Sequence, residues 1–555
     1  MTLAGHLLRA TPRLVPAFLL LPILAGLTGT LTTALQTPGV SAFSQLAHWP
    51  GLIPAMRLSV STGAISTAAA LLLTLLITAT FSSPAFTLLR RLLAPLIALP
   101  HAAAAIGLAF LIAPSGWIAR ALSPWATSWT APPDLLTLHD PHGIALTLGL
   151  IAKELPFLLL MTIAALPQCD APRRLHTAAA MGYGRITAFW LTTLPALYPH
   201  LRLPTLAVLA YAMTNVDIAT VLGPTLPPTL AVQITLWMTD PSLTQRSLAS
   251  AAALLQLALT AAAILGWLGL ERLAARLRHA VTLRGLRLTR LDRPLHAFTA
   301  ASAILLCAAL LTGLISLALW SVAGLWPFPD TLPQSLTLTA WSSAAPALSA
   351  TTLTTLIIAT TATAAALILT LASLQAEHLF ALPPTALPWL YLPLILPQIC
   401  FLPGVANLFL TAHATGGLIS VTLSHLIFVL PYVALTLTAP FRSWEPRLAT
   451  IAASLGASPA SIFWRLRLPM LLAPILTAAA VGLAVSVGQY LPTLLIGGGR
   501  VTTLTTEALA LSSGGSRRLT GAFALLQTLL PAMGFALALS LPRLIFANRK
   551  AMVAT

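Results

Sequence analysis

Apolar stretches of about twenty residues, long enough to cross a hydrocarbon core, recur along the whole chain, separated by dips rich in arginine, proline and glycine. They fall near 14–35, 60–81, 92–113, 143–166, 203–223 and 248–270, then near 297–320, 352–374, 387–411, 417–440, 471–491 and 520–541. Alanine, leucine and threonine run through them without polar residues at every second position, so they predict helices and not the strands of a membrane barrel. The pattern therefore predicts an all-α membrane protein of about twelve transmembrane helices.

Composition agrees: of 555 residues 57% are hydrophobic and 7% charged, where soluble proteins carry about 25% charged residues. The formal net charge of +17 is accounted for by topology. With a cytoplasmic start, Arg90 and Arg91, Arg173 and Arg174, the arginines between Arg272 and Arg293, those from Arg442 to Arg467, and Arg549 with Lys550 all fall inside, as the positive-inside rule requires. The surrounding partner is then membrane lipid, and no nucleic acid is called for. The first stretch follows Arg9 and Arg13 without a small-residue cleavage site, so it reads as an uncleaved span with both termini cytoplasmic. Cys169, Cys307 and Cys400 are scattered and predict neither a disulfide framework nor a metal site. HDPHG, His139 to Gly143, reads as a solvated loop rather than a metal pair.

One frame appears twice. GYGRITAFWLTTLP runs from Gly182 to Pro195 and GASPASIFWRLRLP from Gly456 to Pro469, at an offset of 274. LPHAAAAIG, with Pro100 and Gly107, matches LPQICFLPG, with Pro397 and Gly404, at an offset of 297. The 23-residue difference must lie between the third span and the dip motif, where the first half carries the longer outside loop, roughly 114–142. The chain thus reads as two parallel six-span repeats joined by the basic cytoplasmic segment 271–296. In each dip a small-residue helical turn (HTAAAMG, TIAASLG) breaks at a glycine, which permits a sharp change of direction. A short helix then runs to Leu-Pro. Phe189, Trp190, Phe463 and Trp464 are expected to project into water, as aromatics for a partner groove do.

EAA, three residues, glycine, then about a dozen residues to Leu-Pro is the coupling-loop pattern that this motif resembles. It belongs to the permease subunits of binding-protein-dependent ABC importers. The chain resembles a fused pair of such permeases over nearly its whole length, as in thiamine and ferric-iron importers. Asn215 to Gln233 and Gly488 to Gly515 look most like Ynj-type fused permeases. The resemblance implies a type I importer fold in the bacterial inner membrane, with two cytoplasmic ABC ATP-binding subunits docked on the loops and a periplasmic binding protein delivering a small-molecule solute. It implies coupling roles for His176, Ala178, Gly182, Phe189, Trp190 and Pro195, and for Thr450, Ala452, Gly456, Phe463, Trp464 and Pro469. His176 and Thr450 stand where the family usually has glutamate, so the shape of the handle is kept without that charge. The implied organisation is 1–56 first span and outer loop, 57–270 first permease domain, 271–296 linker, 297–346 seventh span and outer loop, 347–545 second permease domain, and 546–555 cytoplasmic tail. A phosphate-binding GxxxxGK[ST] needs a lysine, and the chain's lysines are Lys153, followed by glutamate, and Lys550. ATP hydrolysis is therefore expected in a separate subunit, and no cofactor is implied.

Lys153 and Glu154 sit mid-span, where ionised groups are costly and mark function by default. The second half has Phe428 and Val429 there, so the pair either lines a pathway or is a mutually neutralised structural pair. Asp217, Asn215, His425, Gln489 and Tyr490 are further pathway candidates, with interhelical hydrogen bonding as the alternative. Acidic groups on a pathway would suit a cationic or hydrogen-bond-rich solute. A rival function is a proton-coupled secondary transporter using Glu154 and Asp217, which leaves the duplicated loops unexplained. No catalytic constellation of an intramembrane enzyme is present.

Overall fold

The computed structural model describes residues 3–35, 41–80, 99–287, 289–383, 387–413 and 416–546. Arg90, Arg91, the start of the third expected span, and the tail with Arg549 and Lys550 lie outside them. The principal helices are α1 Leu3–Leu35, α2 Leu52–Thr80, α3 His101–Ile112, α4 Ile144–Ala165, α5 Leu194–Thr214 and α6 Leu243–Leu283. They continue with α7 Asp292–Ser321, α8 Ala345–Leu379, α9 Gln398–Thr411, α10 Leu418–Arg442, α11 Leu472–Val487 and α12 Arg517–Ile545.

Among the described residues, nine helices are long and apolar enough to cross a membrane unaided. Two more places are filled by bent pairs, Trp389–Ile395 with α9 at 103° and Pro459–Met470 with α11 at 70°. The twelfth place is held by α5, which does not qualify, because His200, Arg202 and three prolines dilute its apolar run. The fifth and eleventh expected spans are also not continuous: α5 ends at Thr214 and α11 at Val487, and each is followed by a short helix, Asp217–Leu222 or Leu491–Gly497.

The repeat is visible in the packing. In the first half α2 packs on α4 and α5; in the second α8 packs on α10 and α11. Leu230 donates its N–H to Ser59 Oγ of α2 at 2.9 Å, and Leu504 to Thr355 Oγ1 of α8 at 3.0 Å. The loop between the third and fourth helices is long in the first half, 113–143, and short in the second, 412–417. Helix α6 runs straight through much of the basic linker, so only 284–291 separates it from α7.

The first helix of each half is swapped onto the other. Helix α1 packs on α8 and α9 besides α6 of its own half, and α7 on α2 and α3 besides α12 of its own half. The crossings are made of backbone on backbone, at the glycines of the LPHAAAAIG and LPQICFLPG segments. A Cβ on Gly107 would sit 3.0 Å from Gly313 O of α7, and one on Gly404 would overlap the Gly26 carbonyl of α1. Small residues at membrane crossings permit this approach. Asn407 Nδ2 adds a hydrogen bond to Thr33 Oγ1 across the α1 crossing at 3.0 Å.

A second lock joins the halves at the end of the bundle remote from the dip motifs. Arg120, buried, donates to Pro327 O at 2.7 Å, Asp330 O at 3.0 Å and Trp326 O at 3.3 Å in the loop between α7 and α8. Its guanidinium lies over Trp320, Trp326 and Phe328. These carbonyls satisfy a cation that burial would otherwise penalise.

Gly404→Ala is expected to cost about 1–3 kcal/mol through overpacking and to lower the thermal unfolding midpoint of the purified protein. Gly266→Ala on α6, where an added methyl meets nothing within 4 Å, is expected to leave the midpoint unchanged or raise it.

Candidate docking loops and intramembrane polar site

The duplicated frame forms the same object twice. A first arm, Ala171–Ala180 or Pro446–Ser454, leads into Gly182 or Gly456, whose φ values are +80° and +85°. That left-handed conformation disfavours residues with a Cβ and closes each arm with matched bonds. Gly182 N donates to Ala179 O at 2.9 Å and Tyr183 N to Ala178 O at 3.2 Å; Gly456 N donates to Ala453 O at 2.9 Å and Ala457 N to Ala452 O at 3.0 Å. Carbonyls left over at a helix C-terminus are satisfied in this way.

Past the glycine both copies widen into a π-helical turn, Phe189–Thr193 and Ile462–Arg467. In each, an N–H five residues on closes the turn, Leu194 to Phe189 O and Leu468 to Phe463 O. Pro195 and Pro469, without an N–H, follow immediately. A proline cannot donate the next bond of an α-helical ladder, and the wide turn accommodates that. Neither helix stops at the proline: the first continues through Pro195 into α5, and the second through Pro469 to Met470 before α11.

The expectation that all four aromatics project into water needs correction. Phe189 is 1% exposed, and the turn carrying it packs against the Ala171–Ala180 arm and α6. Phe463 is half-buried and meets Trp464 edge to face, ring centroids 5.3 Å apart. Adjacent helical residues point about 100° apart, so one of each Phe-Trp pair anchors the loop while the other faces out. Trp190 is 37% exposed and Trp464 67%. At the equivalent positions just before each glycine, Met181 and Leu455 are also strongly exposed. His176 and Thr450 lie exposed on their arms, Ala178 is buried and Ala452 half-buried. Arg467, missed as an anchor, is buried under the second loop; it donates to Phe441 O at 2.9 Å and stacks on Phe441.

Inside the bundle, Asn215 explains the first helix break. Its Oδ1 accepts from Ile218 N at 2.8 Å and Ala219 N at 3.3 Å, capping Asp217–Leu222, while Nδ2 donates to Tyr211 OH at 2.8 Å. Asp217 sits buried in the first turn of that short helix, where a carboxylate is favoured. Gln489 and Tyr490 occupy the matching break before Leu491–Gly497. Broken helices with freed backbone groups occur in membranes only where protein or a cavity satisfies them.

Glu154 and Lys153 are both buried on α4. Glu154 Oε1 lies 3.8 Å from His101 Nε2 at the start of α3 and has no hydrogen-bond partner among the described residues. The His101 ring packs on Tyr211 with centroids 4.9 Å apart. Tyr211 is within electrostatic range of Asp217, Glu154 and Tyr432, and Tyr490 of Asp217. Glu154, Tyr211 and Asp217 thus lie within electrostatic range of Tyr432 or Tyr490 of the second half, with Lys153 next to Glu154 and Asn215 bonded to Tyr211. His101, Tyr211 and Tyr432 were missed; His101 stands in the duplicated LPHAAAAIG segment, with Gln398 at its counterpart, which was the available signal.

His425 does not join this cluster. Its Nδ1 pairs with Ser486 Oγ and its Nε2 with Thr493 Oγ1, both at 2.9 Å, so it staples α10 to both sides of the second break. The HDPHG segment is not merely solvated either: Asp140 is buried and accepts from Ile144 N at 2.8 Å and Ala145 N at 2.9 Å, capping α4. Among the described residues no group of three or more metal-ligating side chains is found.

Comparison with known proteins agrees with this arrangement. The inner membrane ABC transporter permease protein YnjC of Escherichia coli K12 is 32% identical over 540 residues, 95% of this chain and 97% of that protein. The chain belongs to the inner-membrane ABC transporter permeases. Shorter similarities reach the molybdenum transport system permease protein ModB of Mycobacterium tuberculosis, 30% identical over 20% of this chain and 47% of ModB. The putrescine transport system permease protein PotI of Escherichia coli K12 is 28% identical over 20% of this chain and 42% of PotI. No family model matches the chain. As a permease of this class it is a multi-pass inner-membrane transport subunit.

Gly182→Val or Gly456→Val is expected to cost about 1–2 kcal/mol locally, the penalty for a side chain in left-handed backbone. Faster trypsin cleavage at Arg185 or Arg465, respectively, checks this, with asparagine at the same position showing a smaller effect.

Proposed function

We propose that this permease serves an ATP-driven importer, docking one cytoplasmic ATP-binding subunit on each duplicated loop and receiving solute from a periplasmic binding protein. The observation that carries the reading is the matched pair of exposed apolar contacts, Met181 with Trp190 and Leu455 with Trp464, held at equal positions on two loops of the same construction. A large apolar side chain kept at the surface of a rigid turn is the form of an anchor for a partner groove. The positive-inside pattern puts both loops and both termini in the cytoplasm. ATP hydrolysis then belongs to the partners.

The solute pathway in this reading runs past the polar cluster between the halves. Two carboxylates, Glu154 and Asp217, stand there with one ammonium, Lys153, and the tyrosines 211, 432 and 490. That balance favours a cationic or hydrogen-bond-rich solute. Relatives named for molybdenum and for putrescine transport leave its identity open, because a shared fold does not fix a substrate. His425, with both ring nitrogens occupied by hydroxyls, is a structural staple in this scheme.

Trp190→Asp combined with Trp464→Asp is expected to abolish co-purification with the cognate ATP-binding subunit, each single change weakening it, while the thermal unfolding midpoint stays within a degree or two. Solute uptake into proteoliposomes by the chain alone, driven by a pH gradient and indifferent to ATP, would instead establish the secondary-transporter reading. Glu154→Gln is expected to lower ATP-driven uptake at least tenfold with the midpoint unchanged, whereas His425→Ala lowers the midpoint by removing two buried hydrogen bonds between helices.

A further inference from the structure

The two docking loops are built alike but fastened differently. In the second, Pro459 opens the helix after the turn and brings no N–H, and Ser458 Oγ accepts from Ser461 N at 3.2 Å. That loop caps itself, in the manner of proline and serine at helix starts. In the first, the residue equivalent to Ser458 is Gly184, and Arg185 stands where Pro459 would be. A helical run from Arg185 to Thr214 therefore begins with no capping side chain of its own to receive its first N–H groups.

The acceptor comes from the other end of the linker. Asp292, the first residue of α7, takes the N–H of Arg185 on Oδ2 at 2.7 Å and that of Ile186 on Oδ1 at 3.3 Å. A Cβ on Gly184 would lie 3.0 Å from the Asp292 carboxyl carbon, so this glycine leaves the space the carboxylate fills. Arg287, just before α7, lies over Gly182, its Nη1 3.1 Å from where a Cβ would stand. Nothing lies within 4 Å of the corresponding point at Gly456. Among the described residues the basic linker is thus laid across the first docking loop, at Gly182 and Gly184, and leaves the corresponding point at Gly456 open.

We propose that Asp292 is a positioning residue that caps the first docking loop in trans, so that the first ATPase seat is assembled from both halves while the second is self-contained. A carboxylate at a helix N-terminus satisfies orphan donors and complements the helix dipole. Here it also ties the loop to α7, the helix that crosses onto α2 and α3. Any displacement of the first loop by a bound partner is therefore handed directly to a helix of the opposite half, and among the described residues no equivalent side-chain cap ties the second loop to the first half. The ATPase seat rests on the function proposed above; the trans cap does not, and the test separates them.

Hydrogen–deuterium exchange on the full chain in lipid nanodiscs, without any ATPase, reads the cap directly. Asp292→Ala is expected to raise exchange at 185–189 about tenfold or more, the loss of charge-assisted bonds, while 459–463 stays unchanged. Gly184→Ser in the wild-type background is expected to raise exchange at 185–189 as well, because its Cβ collides with Asp292. Combined with Asp292→Ala, the same serine is expected to restore protection by capping in cis as Ser458 does. That reversal of sign is not produced by a merely structural loss. Unchanged exchange at 185–189 in Asp292→Ala, equal loosening of both loops, or failure of the serine to rescue would overturn the trans cap. Binding of the cognate ATP-binding subunit then tests the seat: a protected cap whose removal leaves that affinity unaltered would refute the composite seat and leave the cap standing.

Discussion

Everything else in this fold depends on two places where backbone lies directly on backbone. Gly107 against Gly313 and Gly404 against Gly26 let α7 and α1 cross onto the opposite half without intervening side chains. In a membrane, where apolar side chains gain nothing by leaving lipid for one another, close van der Waals contact between small residues is what holds helices together. These crossings fix where the halves meet, and so hold Tyr432 and Tyr490 of one half within electrostatic range of Glu154, Tyr211 or Asp217 of the other. The Arg120 lock on the loop between α7 and α8 closes the same joint at its far end.

Much of the architecture was legible because it rests on local signals. Apolar length gave the helices, and the offsets of 274 and 297 gave the repeat. The glycines at 182 and 456 gave the turn, since left-handed backbone has few other occupants. What could not be read depends on direction or distance. Whether Phe189 or Trp190 faces inward is set by the phase of a π-helical turn, which a dipeptide does not declare. The breaks at Asn215 and Gln489 fall inside apolar runs that stay long enough to span despite a few polar residues, so continuous spans were expected there. Asp292 acts on Arg185 across more than a hundred residues, and His101 on Glu154 across more than fifty; no spacing rule announces either.

The two halves differ in their intramembrane polar residues and in the supports of the duplicated loops. The first holds Lys153 and Glu154 where the second holds Phe428 and Val429, and the second holds the His425 staple where polar cover at its helix break is needed. The docking loops keep their outer contacts in common and differ in how they are anchored, Arg185 donating to Ala79 O in one and Arg467 to Phe441 O in the other. Conservation of the outer face with freedom underneath is the pattern expected of two surfaces that meet the same kind of partner on different supports.

The crossed first helices also constrain how the protein is made. Helix α1 leaves the ribosome first, yet the segment that covers its glycines begins only at Gln398. Until then the glycine face of α1 lacks its partner, although α1 already has α6 of its own half to pack on, and α3 lacks the cover of α7. Translation through the second half is therefore a condition for finishing the first. Cutting the gene between α6 and α7 yields two pieces that each carry the helix covering the other's glycine crossing.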